Sequence, residues 1–192
     1  IGHAAFWALG AYGASILDTR FGVTFEIAIF CGGILAAVFG FVVAIPAMRV
    51  QGHYLAIATL AFSMVIERGL HEWESVTGRR SGMFVPRPSV LGVELVSDAS
   101  YYYVIVLVSL IFTWIIYNIQ RAPSGRALQA LRLSPTAASS CGVNRRKSLV
   151  TVFMRSAFMT GISGGLFAHL VGYLSVSSFT LAVSLSFITM IV

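Results

Sequence analysis

The stretch 121–147, RAPSGRALQALRLSPTAASSCGVNRRK, decides how the rest of the chain is read. It carries Arg121, Arg126, Arg132, Arg145, Arg146 and Lys147, and no Asp or Glu. Long apolar runs flank it, 101–119 before and 149–174 after. Membrane proteins keep excess positive charge on the cytoplasmic side, so a purely basic segment between two apolar runs reads as a cytoplasmic loop. The loop has internal order. Ser134 offers a side-chain N-cap, and Pro135 stands at the first helical position, where no N–H is needed. Thr136, Ala137 and Ala138 continue that turn, and Gly142 tolerates the left-handed conformation that ends a helix. A second short helix is predicted over 125–133 from the spacing of Ala127, Leu128, Leu131 and Arg132. Composition alone leaves two readings open. The loop is either a pair of helices presented for a partner to grip, or a solvated basic segment that only sets topology.

The composition places the chain in a bilayer. Of 192 residues, 57% are hydrophobic and 10% charged, against roughly 25% charged in a soluble domain. The net charge of +6 raises nucleic acid as a partner, but its largest block sits in one loop between apolar runs. Topology explains that block more simply, and no nucleic-acid partner is expected. Cys31 lies in an apolar run and Cys141 in the basic loop, so no disulfide is expected between them.

Working outward, about six membrane segments are expected, some short or broken. They lie at 1–17, 27–48, 54–70, 104–119, 149–174 and 181–192. The fold class is all-α, a polytopic transmembrane helical bundle. In the second segment Gly33/Ala37 and Ala36/Gly40 allow close helix approach, and Pro46 marks its end. In the fifth, Ala157, Gly161 and Gly165 form one small-residue row, and Gly164, Ala168 and Gly172 an adjoining one. Such a helix packs closely against neighbours or lines a path. Tyr101, Tyr102 and Tyr103 read as an interfacial aromatic belt, with Trp114 and Tyr117 at the other end of that segment. With 121–147 inside, 18–26 and 71–100 face outside and 49–53 inside. The sequence opens within an apolar segment without a Met and stops within one at Met190, Ile191 and Val192. It reads as a piece of a longer chain, cut at both ends.

No residue pattern points to catalysis or to a cofactor. There is no GxxxxGK[ST] phosphate loop. His3, His53, His71 and His169 are scattered without metal-ligand spacing, and the serines of the apolar runs have no evident base partner. His71, Glu72 and Glu74 beside Trp73 are weak material for acid–base work and fit solvated interfacial residues better. His169 fits a helix–helix hydrogen bond or the lining of a pathway. A conduit is therefore expected, with an ion-gradient carrier or channel as the alternative. That alternative needs intramembrane ionisable groups, for which only Glu67, Arg68, Arg155 and His169 are candidates.

Several stretches resemble the inner-membrane permease subunits of branched-chain amino-acid ABC importers, the M-type subunit in particular. GHYLAIATLAF at 52–62 is close to the family's G-x-YLAIATLAF. Trp73, Thr77, Gly78, Ser81 and Gly82 resemble its W-x-x-x-TGGSNG. GRALQALR at 125–132 is similar to GRALRAIR, and Ala137, Ala138, Gly142 and Asn144 fit the AA-x-x-x-G-I-N that follows. Ser156, Phe158, Gly161 and 164–166 continue the likeness, as do 2–6 and 10–12 at the start. The resemblance implies one transmembrane permease domain over 1–192, forming half of a pathway beside a second, homologous permease subunit. It also implies cytoplasmic ATP-binding subunits, and a periplasmic or extracellular solute-binding protein that delivers substrate. The implied ATPase-coupling loop is 121–147, with Gly125, Arg126, Arg132, Pro135, Thr136, Ala137, Ala138 and Gly142 as its contact residues. Candidates for the substrate path are Thr77, Gly78, Ser81, Gly82, Gly161, Gly165 and His169. The chain departs from the family at 133–136, where an acidic residue is common, and at Arg79 and Arg80, which replace an uncharged pair. Urea, short amides and aromatic acids are thus expected alternatives to branched-chain amino acids.

Overall fold

The computed structural model describes residues 2–49, 53–73, 82–86, 88–90, 93–94, 98–175, 179, 183–184, 186 and 189–190. Thr77, Gly78 and Ser81 lie outside the described residues. The chain divides into two units, one of residues 1–96 with 153–192 and one of residues 97–152.

In the first unit, α1 (His3–Phe21) begins after Gly2 and ends at Gly22, both with positive φ. The expected end at residue 17 is passed, because no glycine or proline interrupts the chain until Gly22. Asp18 and Arg20 therefore stand on the last helical turn and not in a connector. Next comes α2 (Phe25–Ala47), with Pro46 in its final turn, where the missing N–H leaves the Val42 carbonyl without its helical donor and the helix ends a residue later. The third helix, α3, runs His53–Glu72. Among the described residues of the polar stretch expected between 71 and 100 stand three two-residue strands, β1 (Met83–Phe84), β2 (Ser89–Val90) and β3 (Val93–Glu94). β2 and β3 pair with each other in antiparallel register.

Residues 97–152 begin with α4 (Asp98–Arg121), followed by α5 (Pro123–Leu133) and α6 (Pro135–Ser140). The long α7 (Arg145–Val171) starts in this unit and continues into the first. It stops short of the expected residue 174, since Gly172 takes φ 69°. β4 (Tyr173–Leu174) then pairs antiparallel with β1, Met83 opposite Leu174 and Phe84 opposite Tyr173. Among the described helices, 25–47, 99–121 and 145–171 are long and apolar enough to cross a membrane. The protein is an all-α, multi-pass membrane protein, and the short ladders are additions to its helices.

The first unit is built on a three-helix crossing of α1, α2 and the 153–171 part of α7. Lipid supplies no hydrophobic drive between helices, so close approach through small residues does the work. A β-carbon placed on Gly10 of α1 would run into the backbone of Gly161 in α7. One on Gly32 of α2 would lie 2.7 Å from the Gly10 carbonyl oxygen. One on Gly161 would lie 3.1 Å from both the Gly32 carbonyl oxygen and Gly33 Cα. The opposite face of α2 carries Ile27, Phe30, Ile34, Val38, Phe41, Val42 and Ile45, all exposed. One helix thus has a glycine face for protein and a bulky apolar face suited to lipid. Beside the crossing, Trp7 packs against Phe167 in a tilted arrangement with ring centroids 4.5 Å apart. Phe179 packs edge-on to Trp7 and beside Tyr12. Ala8, Ala11, Leu70, Val85, Ala168 and Leu174 complete that cluster.

Candidate functional site

The basic segment is folded throughout. α4 ends at Arg121, whose guanidinium lies 4.3 Å from the Tyr117 ring centroid. The Arg121 carbonyl accepts from Arg126 Nη1 at 3.3 Å. The chain turns sharply at Ala122 into α5, which opens on Pro123 two residues before the expected start. Gly125 makes the turn possible, since a β-carbon there would strike the backbone of Ile119 and Gln120. Ser134 both ends α5 and caps α6, with extended φ/ψ and its Oγ accepting from the Ala137 N–H at 3.3 Å.

The exit from α6 is equally defined. Val143 N–H donates to the Ala138 carbonyl at 3.1 Å, and Gly142 N–H to the Ser139 carbonyl at 3.0 Å. With Gly142 at φ 82°, this is a Schellman end, which satisfies the last carbonyls of the helix. No heavy atom lies within 4 Å of a β-carbon placed on Gly142, so conformation and not space demands the glycine. Asn144 Oδ1 accepts from the Lys147 N–H at 3.1 Å and caps α7. Replacing Ser134 by Ala should therefore loosen α6 by about 1 kcal/mol. Faster amide hydrogen exchange at 137–140, with exchange in α4 unchanged, is the check.

What this scaffold presents is small and uncharged. Pro135, Thr136, Ala137, Ser139, Ser140, Cys141 and Gly142 are exposed, while Ala138 is buried and anchors the turn. Leu133, next to the cap, is 88% exposed. Arg126 and Arg132 are exposed on α5. At the start of α7 stand Arg145, Arg146 and Lys147 with no acidic residue in the first turn. Cations at a helix N-terminus oppose the helix dipole. Their placement does not serve helix stability, and topology or a partner must account for it.

The described path candidates lie in the first unit. Gly161 is held in the three-helix crossing, and a β-carbon on Gly165 would lie 3.1 Å from Ala14 Cβ and 3.2 Å from Ile29 Cγ1. Gly82 takes φ 68° against Tyr173 and the Leu174 carbonyl. His169 is buried and makes a helix–helix hydrogen bond, Nε2 to Asp18 Oδ2 at 3.0 Å. Its Nδ1 lies 2.8 Å from the Gly165 carbonyl oxygen. Sequence reasoning put Asp18 in a connector and missed it as the partner. The one available signal was an acid four residues past Ala14, on the α1 face that meets the small-residue rows of α7.

A multi-pass helical protein with glycine-packed spans and a capped basic helix–turn–helix has the form of a membrane permease subunit. Residues 1–192 match the family described as branched-chain amino acid transport system / permease component, and the chain belongs to that family. It is 31% identical to the high-affinity branched-chain amino acid transport system permease protein LivM of Escherichia coli K12 over 208 residues. The corresponding LivM of Salmonella typhimurium LT2 is 30% identical over the same length. Each alignment takes in 96% of this chain and 49% of the relative, so the chain spans about half the length of the curated relatives it matches. No solved structure matches it significantly.

Proposed function

We propose that this chain is the core of one permease subunit of an ATP-driven importer in a bacterial inner membrane. It forms half of the translocation pathway for branched-chain or related amino acids, beside a second homologous permease subunit. A periplasmic or extracellular binding protein delivers the solute. ATP hydrolysis takes place on separate cytoplasmic ATP-binding subunits, and the segment 121–147 is the surface on which they act.

One observation carries this reading. A six-residue helix, capped at both ends and exposing small uncharged side chains, stands between clusters of cations with no acid among them. Such an element is stiff enough to transmit force and narrow enough to enter a cleft. The arginines supply attraction to an acidic rim. Family membership and the identity to LivM support the same reading. In mechanism, closure of the ATPase pair displaces α6. Because α5 is braced on the end of α4 through Gly125 and Arg126, and α6 leads into α7 through Gly142 and Asn144, the displacement reaches both long helices. They then rock between inward- and outward-facing states.

The test is co-purification of the full-length chain with its nucleotide-binding subunit. Arg126→Glu with Arg132→Glu should weaken that association at least about tenfold, and more at low than at high salt. Unchanged association at both salt concentrations would remove these residues from the interface. Solute uptake in energised vesicles lacking ATP would replace the reading with an ion-gradient carrier.

A further inference from the structure

The hydrogen bonds around His169 do not balance without an additional proton. A carbonyl oxygen only accepts, so the 2.8 Å contact to the Gly165 carbonyl puts a proton on Nδ1. In a neutral ring Nε2 is then a bare acceptor. Yet Nε2 lies 3.0 Å from Asp18 Oδ2, which as a carboxylate is also a bare acceptor. Two lone pairs at that distance repel. The contact is a hydrogen bond only if a second proton lies between them. The 3.0 Å contact therefore holds a proton shared between Nε2 and Oδ2.

We propose that His169 and Asp18 form a proton-binding site in which an imidazolium, donating to a carboxylate, fastens the end of α7 to the end of α1. The surroundings favour a paired charge and disfavour a lone one. The His169 side chain is fully buried and that of Asp18 is 18% exposed. Phe25, at the start of α2, closes the site with its ring at 4.9 Å from the imidazole in a T-shaped arrangement. Buried without its counter-charge, either group would carry an uncompensated desolvation cost. Asp18 reaches the surface, so protons exchange through its side of the site.

Other described titratable and charged groups stand on the elements around it. They are His3, Tyr12 and Arg20 on α1, Glu26 and Cys31 on α2, Tyr54, Glu67, Arg68, His71 and Glu72 on α3, Arg145, Arg146, Lys147 and Arg155 on α7, and Tyr173 on β4. The partners of His169 itself are Asp18 and the Gly165 carbonyl. With the proton bound, α1 and α7 are tied at this corner; once raised pH removes it, two acceptors face each other and the tie becomes a repulsion. The site sits beside the crossing that holds α1, α2 and α7 together, so its state biases how firmly those helices stay closed. It stands on geometry alone, without the ATPase reading.

The full-length chain in lipid nanodiscs provides the test, with thermal stability followed from about pH 5 to about pH 9, the range in which histidine changes charge. Asp18→Asn is the informative variant. Its amide N–H donates to a neutral Nε2, so the bond survives without the extra proton. The wild-type chain should lose about 3 °C or more in Tm relative to Asp18→Asn as the pH rises. Parallel pH profiles for the two would overturn the proposal. If Asp18→Asn does not fold, nitrogen-15 NMR of His169 in the wild-type chain decides. Two protonated ring nitrogens at the acid end and one at the alkaline end are expected; one throughout would overturn it. Neither readout involves the ATP-binding subunits, so failure here leaves the coupling proposal untouched.

Discussion

Replacing Gly161 by valine is expected to abolish the folded permease. The β-carbon alone would press on Ala36 Cβ and lie 3.1 Å from the Gly32 carbonyl oxygen and Gly33 Cα, and a branched side chain adds two methyl groups in the same place. The obstacles on the α2 side are mostly backbone, and on the α1 side Gly10 meets the Gly161 backbone directly. No rotamer change relieves such a collision. The helices must separate, and separation forfeits the packing that replaces the hydrophobic effect in lipid. The cost exceeds the 1–3 kcal/mol or so typical of overpacking, a large share of a membrane domain's stability. The measurement is the amount of full-length protein recovered monodisperse in mild detergent. Gly69→Ala in α3 is the control. No heavy atom lies within 4 Å of its β-carbon, so it should be neutral or stabilise by up to about 1 kcal/mol. Equal recovery of Gly161→Val and wild type would refute the crossing.

Excision of residues 134–142, bridged by a short Gly/Ser linker, is expected to reduce solute uptake to background while the chain still inserts. The segment contains all of α6 with its Ser134 cap and Gly142 terminus. A flexible linker keeps the ends of α5 and α7 joined but transmits no force, because it bends where a capped helix does not. Uptake by right-side-out vesicles, alongside the basal ATPase rate of the purified assembly, separates the outcomes. Lost uptake with ATPase subunits absent or uncoupled fits the proposal. Uptake that persists would eliminate α6 as the coupling element. Gly142→Val is the milder version. It forces a β-branched residue into φ 82°, at a cost of about 1–2 kcal/mol, and should impair uptake in part by fraying the end of α6.

The parts of the fold legible in the sequence were those governed by local chemistry. Ser134–Pro135 announced the start of α6 because capping is decided by two adjacent residues, and Gly142 announced its end for the same reason. The long apolar runs announced membrane helices, since length and composition suffice for that. Boundaries were less legible. α1 runs through Asp18 to Gly22 because charged residues do not break a helix, whereas a positive-φ glycine does. The strand pair Met83–Phe84 with Tyr173–Leu174 joins segments almost ninety residues apart and leaves no local periodicity to detect.

The sequence by itself determined a polytopic helical membrane protein with a basic, capped helix–turn–helix, since hydrophobicity, charge placement and caps act within a few residues of chain. Only the tertiary structure decided which small residues meet. It brought Gly10, Gly32 and Gly161 into one crossing and set His169 against Asp18. Those contacts depend on the rotation and depth of each helix, which are settled when three surfaces fit together at once and are written in no single helix.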